Sequence, residues 1–194
     1  MNEDAEYRRE FIEQGLYQGQ SLLALDLVKC TRCDECLKAC VQQHGKESHG
    51  QTVTRLLRAG LRFGDFLIAT SCRSCKDAYC MIGCPVDAIH RGKHMQIVIE
   101  DHCIGCGLCA RNCPYGNIFM ESNLLDLTEV GDPDHPGETR TVARPKALTC
   151  DLCDADGRED QPTPRCVYAC PHDAAHRMNG EDLFKIVTGG YNCP

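Results

Sequence analysis

Tryptophan is absent, and aromatic residues make up only 6% of the 194 positions. A core of this size normally leans on buried rings, so something else must organise the interior. No apolar run approaches the roughly 20 residues needed to cross a bilayer. The opening MNEDAEYRREFIEQG lacks the basic and apolar regions of a secretory signal. The pair Arg8 and Arg9 is followed by Glu13, Gln14, Gln18, Gln20 and Asp26, with no cleavage site beyond. These absences predict a soluble, cytoplasmic chain with no membrane span of its own, and leave open export in the company of a signal-bearing partner. Basic charge is also in deficit, with 21 Lys and Arg against 28 Asp and Glu and a formal net charge of −7. An acidic chain repels polyphosphate, so no nucleic-acid partner is expected.

Cysteine is what the sequence has in excess, at 17 residues. That density signals a covalent or metal scaffold. Sixteen fall into four groups of four: Cys30, Cys33, Cys36 and Cys40; Cys72, Cys75, Cys80 and Cys84; Cys103, Cys106, Cys109 and Cys113; and Cys150, Cys153, Cys166 and Cys170. Each group ends in C-x3-C. In groups two, three and four a proline follows at once (Pro85, Pro114, Pro171), and in group one Val41 takes that place. Cys193 stands apart and reads as an incidental free thiol.

The flanking segments repeat as well. CPVDAIHRGKHMQIVIED after group two echoes CPHDAAHRMNGEDLFKIV after group four. Each predicts a turn, a strand, a glycine-containing hairpin turn and a second, apolar strand, over residues 97–99 in one copy and 183–187 in the other. LLALDLV (residues 22–28) predicts a strand leading into group one, as QIVIE does for group three. TRLLRAG and DFLIATS within residues 41–71 also read as strands. The Pro, Gly and Asp density of residues 121–149 marks a surface loop, placed at 123–139, and the polar DADGREDQPTPR inside group four reads as exposed. The chain is thus a repeat of strand, cysteine loop, short helical turn and strand.

A [4Fe–4S] cubane needs one thiolate at each of four irons. The run C-x2-C-x2-C-x3-C-P supplies three to one cluster and sends its fourth cysteine to a second. Proline after the fourth cysteine cannot extend a helix, and Gly105 and Gly107 let amide N–H groups approach negatively charged sulfur. Zinc ribbons use C-x2-C pairs but would leave the remaining cysteines of groups one and three unexplained. Disulfides need cysteines placed and oriented to meet, which this spacing does not favour. No C-x3-C-x2-C triplet of the radical-SAM kind is present. His102 and His172 beside the cysteines read as outer or surface residues, because every group already holds four thiols. Arg32, Lys38, Arg73, Lys76 and Arg111 lie inside the cysteine loops, where two roles stay open: raising cluster potentials, or solvated surface charge.

With this register the chain resembles the four-cluster ferredoxin-type iron–sulfur subunits of molybdenum and tungsten oxidoreductases, typified by those of dimethyl sulfoxide reductase, formate dehydrogenase and polysulfide reductase. The resemblance covers residues 22–190 and includes the group order, C-x2-C-x4-C-x3-C-P in second place and a widened fourth group. It implies an α+β fold of two nested ferredoxin-like units: an N-terminal extension at 1–21, an outer unit at 22–71 plus 140–194, and an inner unit at 72–122. It also implies four [4Fe–4S] clusters, held by Cys30, Cys33, Cys36 and Cys170; by Cys150, Cys153, Cys166 and Cys40; by Cys72, Cys75, Cys80 and Cys113; and by Cys103, Cys106, Cys109 and Cys84. The rival arrangement pairs group one with two and group three with four. Nesting requires residues 22–28 to share a sub-domain with residues 183–187. Counting thiolates and cluster cores takes the net charge from −7 to roughly −15. Fully Cys-ligated cubanes offer no substrate site, so no catalytic residue and no enzyme activity of the chain's own are expected. The expected role is an electron-transfer subunit between a pterin- or flavin-containing catalytic subunit and a second redox protein. The alternatives are a free-standing polyferredoxin shuttle and an iron–sulfur regulatory module.

Overall fold

The computed structural model describes residues 9, 12–13, 15–16, 20–44, 54–153 and 163–188. Cys193 and residues 154–162 of the group-four insertion lie outside the described residues. Strand β1 (Leu22–Asp26) is buried at every position. It is central in a sheet of order β2-β3-β1-β8, formed with β2 (Leu57–Phe63), β3 (Phe66–Thr70) and β8 (Ala175–Met178). All its pairings are antiparallel, with Ala24 opposite Ile68 on one side and His176 on the other.

A continuous apolar strand suits burial on both faces, and alternation along β1 assigns them. Leu22 and Ala24 join Leu16, Phe63, Phe66, Ile68, Leu183 and Phe184 in one core. Leu23 points to the opposite core, with Leu56, Ala69, Leu152, Cys40, Cys150 and Cys166. One face of the sheet therefore carries an ordinary apolar core, and the other carries cysteines.

A second region is built around β4 (Ile89–Arg91) and β5 (Ile97–Ile99), a short antiparallel pair. It contributes Ile89, Ile97 and Ile99 to a core shared with Cys72, Cys103 and Cys109. Helices α1 (Glu35–His44), α2 (Leu108–Asn112) and α3 (Arg165–Tyr168) and a 3-10 turn (Tyr79–Met81) each carry cysteines of one group. No helix among the described residues is long and apolar enough to cross a membrane.

Three expectations are corrected. Residues 183–187 are not a strand but belong to helix α4 (Gly180–Val187). Asn179 caps it, its side chain accepting from the Asp182 amide at 2.7 Å, and Glu181 and Asp182 occupy the positive first turn. Leu183, Phe184, Ile186 and Val187 then fall on one helical face against the sheet. The repeat copy at 97–99 lacks such a cap and stays extended. The stretch expected as a surface loop at 123–139 is mostly strand: β6 (Phe119–Gly131) and β7 (Thr139–Leu148) form a long ribbon. Only residues 132–138 turn, where Asp132, Pro133, Pro136 and Gly137 are concentrated, while the residues on either side pair as strands. Pro145, which has no N–H to donate, sits where the β6–β7 register shifts between Glu121 and Leu125. Finally, β2 starts at Leu57, three residues into the run TRLLRAG, and extends to Phe63.

Candidate functional site

The four groups share a backbone form that their spacing alone does not reveal. Two residues after each first cysteine the chain enters the left-handed region: Arg32 at φ 61°, Ser74 at 49°, Gly105 at 67° and Leu152 at 54°. Successive amides in such a turn form a concavity that attracts anions, a form used around iron–sulfur centres. The amides of Ser74 and Gly105 donate to the Sγ of Cys72 and Cys103, each at 3.4 Å.

A second device repeats after the fourth cysteine. Where proline follows, the third residue on is again left-handed: Asp87 at 54°, Gly116 at 65°, Asp173 at 49°. The next amide turns back onto the cysteine, so Ala88, Asn117 and Ala174 donate to the Sγ of Cys84, Cys113 and Cys170, each at 3.3 Å. Group one has Val41 instead, and α1 runs on to His44. These donors went unnoticed in the sequence, although the repeated CP-x-D-A of groups two and four carried the signal.

Each cysteine set has a definite neighbourhood. A cavity is lined by Cys72, Cys75, Cys80 and Cys113, together with Arg73 and Tyr115. Cys40 of group one sits in the core with Cys150 and Cys166 of group four, and Cys153 is a close neighbour of Cys166. Cys103 and Cys109 share a core with Cys84. The Asn112 side chain donates to the Ile82 carbonyl, and His102 Nε2 lies 3.2 Å from the Val86 carbonyl, so group three brackets Cys84. Cys30 lies close to Cys36. The Asp26 amide donates to the Ala174 carbonyl at 2.7 Å and Lys29 Nζ lies 3.6 Å from Asp173, which brings the Cys170 turn beside the start of group one. Asp26 also accepts from the amides of Val28 and Lys29, a turn that leads β1 into the Cys30 loop. Cys33 is exposed, whereas Cys40, Cys150, Cys153 and Cys166 are all buried.

The donor set fits a polynuclear cluster. Burial, then the neighbouring Cys72, Cys113 and Cys75, pushes the Cys80 thiol up to about 12. Burial and then Cys103 push Cys109 to about 11, and burial raises Cys150 and Cys166 well above the usual thiol range. Thiols packed this way ionise together only around a cationic core. Buried polar atoms without partners also gather around group two: Arg73 Nη1 and Asn117 Nδ2 on the cavity wall, and the hydroxyls of Ser71 and Ser74 beside it. Orphans of this kind mark a missing group.

The basic residues of the loops separate cleanly. Arg32, Lys38, Lys76 and Arg111 are exposed, and Lys38 pairs with Glu35 at 2.6 Å. Arg73 is buried, its guanidinium 4.3 Å from the centre of the Tyr115 ring. His102 and His172 are exposed. His44 was not anticipated, and its Nε2 lies 3.3 Å from Cys153 Sγ. Nor was Asp151, which is buried, accepts from the Cys153 amide at 3.1 Å and meets Arg55 at 3.3 Å.

Comparison with known proteins agrees with this chemistry. The 4Fe-4S dicluster domain family matches residues 102–174, spanning groups three and four. A ferredoxin of Methanocaldococcus jannaschii is 31% identical over 163 residues, covering 84% of this chain and 82% of the relative. Formate hydrogenlyase subunit 2 of Escherichia coli is 31% identical over 175 residues, with 83% of each chain covered. The electron transport protein HydN of Escherichia coli is 36% identical over 153 residues, covering 77% of this chain and 82% of the relative. The cysteine loops, their turned-back amides and these relatives together place the chain in the family of ferredoxin-type [4Fe–4S] iron–sulfur electron-transfer proteins.

Proposed function

We propose that the chain is the electron-transfer subunit of a multi-subunit oxidoreductase, passing single electrons along four [4Fe–4S] clusters. The observation that carries this reading is the cavity whose cysteines come from two groups, Cys72, Cys75 and Cys80 from one and Cys113 from the next. The placement of Cys40 with Cys150 and Cys166 supports the same exchange between groups one and four. The remaining sets are then Cys30, Cys33, Cys36 with Cys170, and Cys103, Cys106, Cys109 with Cys84. When bound, each cluster accepts and returns one electron. The protein's own part is to hold sixteen thiolates, aim amides at sulfur and exclude water.

The neighbourhoods also imply an order. Cys36 lies near Cys166, the Cys72 amide donates to the Cys150 carbonyl at 2.8 Å, and Cys109 lies near Cys80. Group one therefore leads to group four, then two, then three, with the two ends available to different partners. A pterin- or flavin-containing catalytic subunit at one end and a second redox protein at the other fit this arrangement, and the hydrogenlyase relative supports it by its name. A free-standing shuttle is the second reading, favoured by the relative named simply as a ferredoxin.

Anoxic purification of the tagged chain from its native host tests both. About sixteen irons and sixteen sulfides per chain, at four ligands per cubane, are expected, together with a stoichiometric pterin or flavin subunit. Eight irons or stoichiometric zinc would overturn the four-cluster reading, and a cluster-loaded chain with no partner would select the shuttle.

A further inference from the structure

Arg73 is a buried cation with no anion of its own. Its Nη1 has no hydrogen-bond partner, and no carboxylate among the described residues pairs with it. The groups that face it are Tyr115, Cys113 and Cys75. A charge left uncompensated in the interior is costly unless something of opposite sign sits beside it. Here the nearest anion would be a cluster carrying four thiolates in the cavity that Arg73 itself lines. The other cations near the cysteine loops differ. Arg55 is neutralised by buried Asp151 at 3.3 Å and Arg58 by Asp34 at 2.6 Å, Lys76 and Arg111 are exposed and screened by solvent, and Arg91 and Arg165 are only half-buried and donate to the Cys75 and Lys76 carbonyls and to Gln43. Among the described residues, only one of the four cysteine sets therefore holds a buried cation facing it with neither an anion nor a full set of hydrogen-bond partners.

The geometry points to Arg73 as the residue that makes the centre of Cys72, Cys75, Cys80 and Cys113 the most readily reduced of the four, so that the first electron entering the relay rests there. Reduction adds one negative charge to the cluster. A fixed cation in a low-dielectric wall favours that form, whereas a solvated one hardly affects it. The Tyr115 ring holds the guanidinium in place through its face. Arg73 is thus a positioning charge that acts through the cluster. The inference rests on the reading that these four cysteines hold a [4Fe–4S] centre.

The test is an EPR-monitored redox titration of the full anoxic chain as wild type, Arg73→Gln, Arg73→Lys and Lys76→Gln, with iron and sulfide measured in each. Cys113→Ser identifies the component belonging to this centre, by altering or removing it. In the wild type that component should have the highest midpoint. Arg73→Gln should lower its reduced-to-oxidised ratio at fixed potential at least tenfold, about 59 mV for a one-electron couple, and leave the other three in place. Arg73→Lys should keep most of the wild-type value, and Lys76→Gln should move nothing. The inference is overturned if no component moves, if all four move alike, or if Arg73→Lys falls as far as Arg73→Gln. Should Arg73→Gln fail to assemble, the wild-type order decides: a highest component that Cys113→Ser leaves untouched refutes it. Iron analysis keeps the two failures apart. A wild type lacking this cluster fails the ligand reading and the inference with it, whereas full cluster content with unmoved midpoints fails the inference alone.

Discussion

At the scale of single residues, the recurrent left-handed position after each first cysteine is filled by Arg32, Ser74, Gly105 and Leu152, and only glycine adopts it without strain. At Gly105 the demand is also steric, since a Cβ there would meet the Pro145 carbonyl oxygen at 2.5 Å. Gly105→Ala is expected to lower stability by about 1–3 kcal/mol, read as an earlier thermal melt of the anoxic holoprotein. Away from the cysteines, His90 Nε2 lies 2.7 Å from Glu100 Oε1, and that hydrogen bond raises the imidazole pKa above its ordinary 6.5. A raised histidine pKa adds stability that is complete below the unfolded value and lost as pH rises through the folded one. Both partners are partly exposed, so solvent keeps the effect small. His90→Gln should therefore lower the melting temperature slightly near about pH 5.5 and leave it unchanged near about pH 9.

At the scale of elements, α4 and the β6–β7 ribbon do the work that an aromatic core would otherwise do. Leu183 of α4 is fully buried with Leu22 and Phe63 on the cysteine-free face of the sheet. Leu183→Ala should cost about 2–5 kcal/mol, and Asn179→Ala, which removes the cap, about 1 kcal/mol, both measured by denaturant titration with clusters intact. The ribbon meets the inner cysteine loops at its base. There Ile118, Ala147 and partly buried Met120 join the core of Cys72 and Cys103, and Thr149 Oγ1 donates to the Asn117 carbonyl at 2.8 Å. Its tip, residues 132–138, is mostly exposed. Replacing that tip with a two-residue Asn-Gly turn should leave iron content and visible absorbance unchanged. Loss of iron would show that the tip supports the loops.

At the scale of the whole molecule, seven of the sixteen grouped cysteines are buried and count among the core residues themselves. Removing the metal then removes core, and thiols crowded in fours repel one another as they ionise. Chelation under oxidation is expected to abolish the circular-dichroism signal and the cooperative melt, and a sharp melt of metal-free chain would refute this. The cysteine register was legible from the sequence because cluster chemistry fixes local spacing: three thiols wrap one cubane from a tight loop, and proline ends the turn. The strands at 22–26 and 66–70 were legible for a similar reason, since their patterns are local. Residues 183–187 were misread because a short apolar run suits strand or helix equally, and the Asn179 cap decided between them. What tertiary structure alone decided is which distant segments meet. The pairing of β1 with β8 lays the Cys170 turn beside group one across about 140 residues of sequence. The burial of Arg73, where four equivalent loop cations stay in water, depends on Tyr115 arriving from another group to cover it. Spacing along the chain determines which ligands a loop can offer, but burial and long-range pairing are sums over the whole fold, and no local pattern records them.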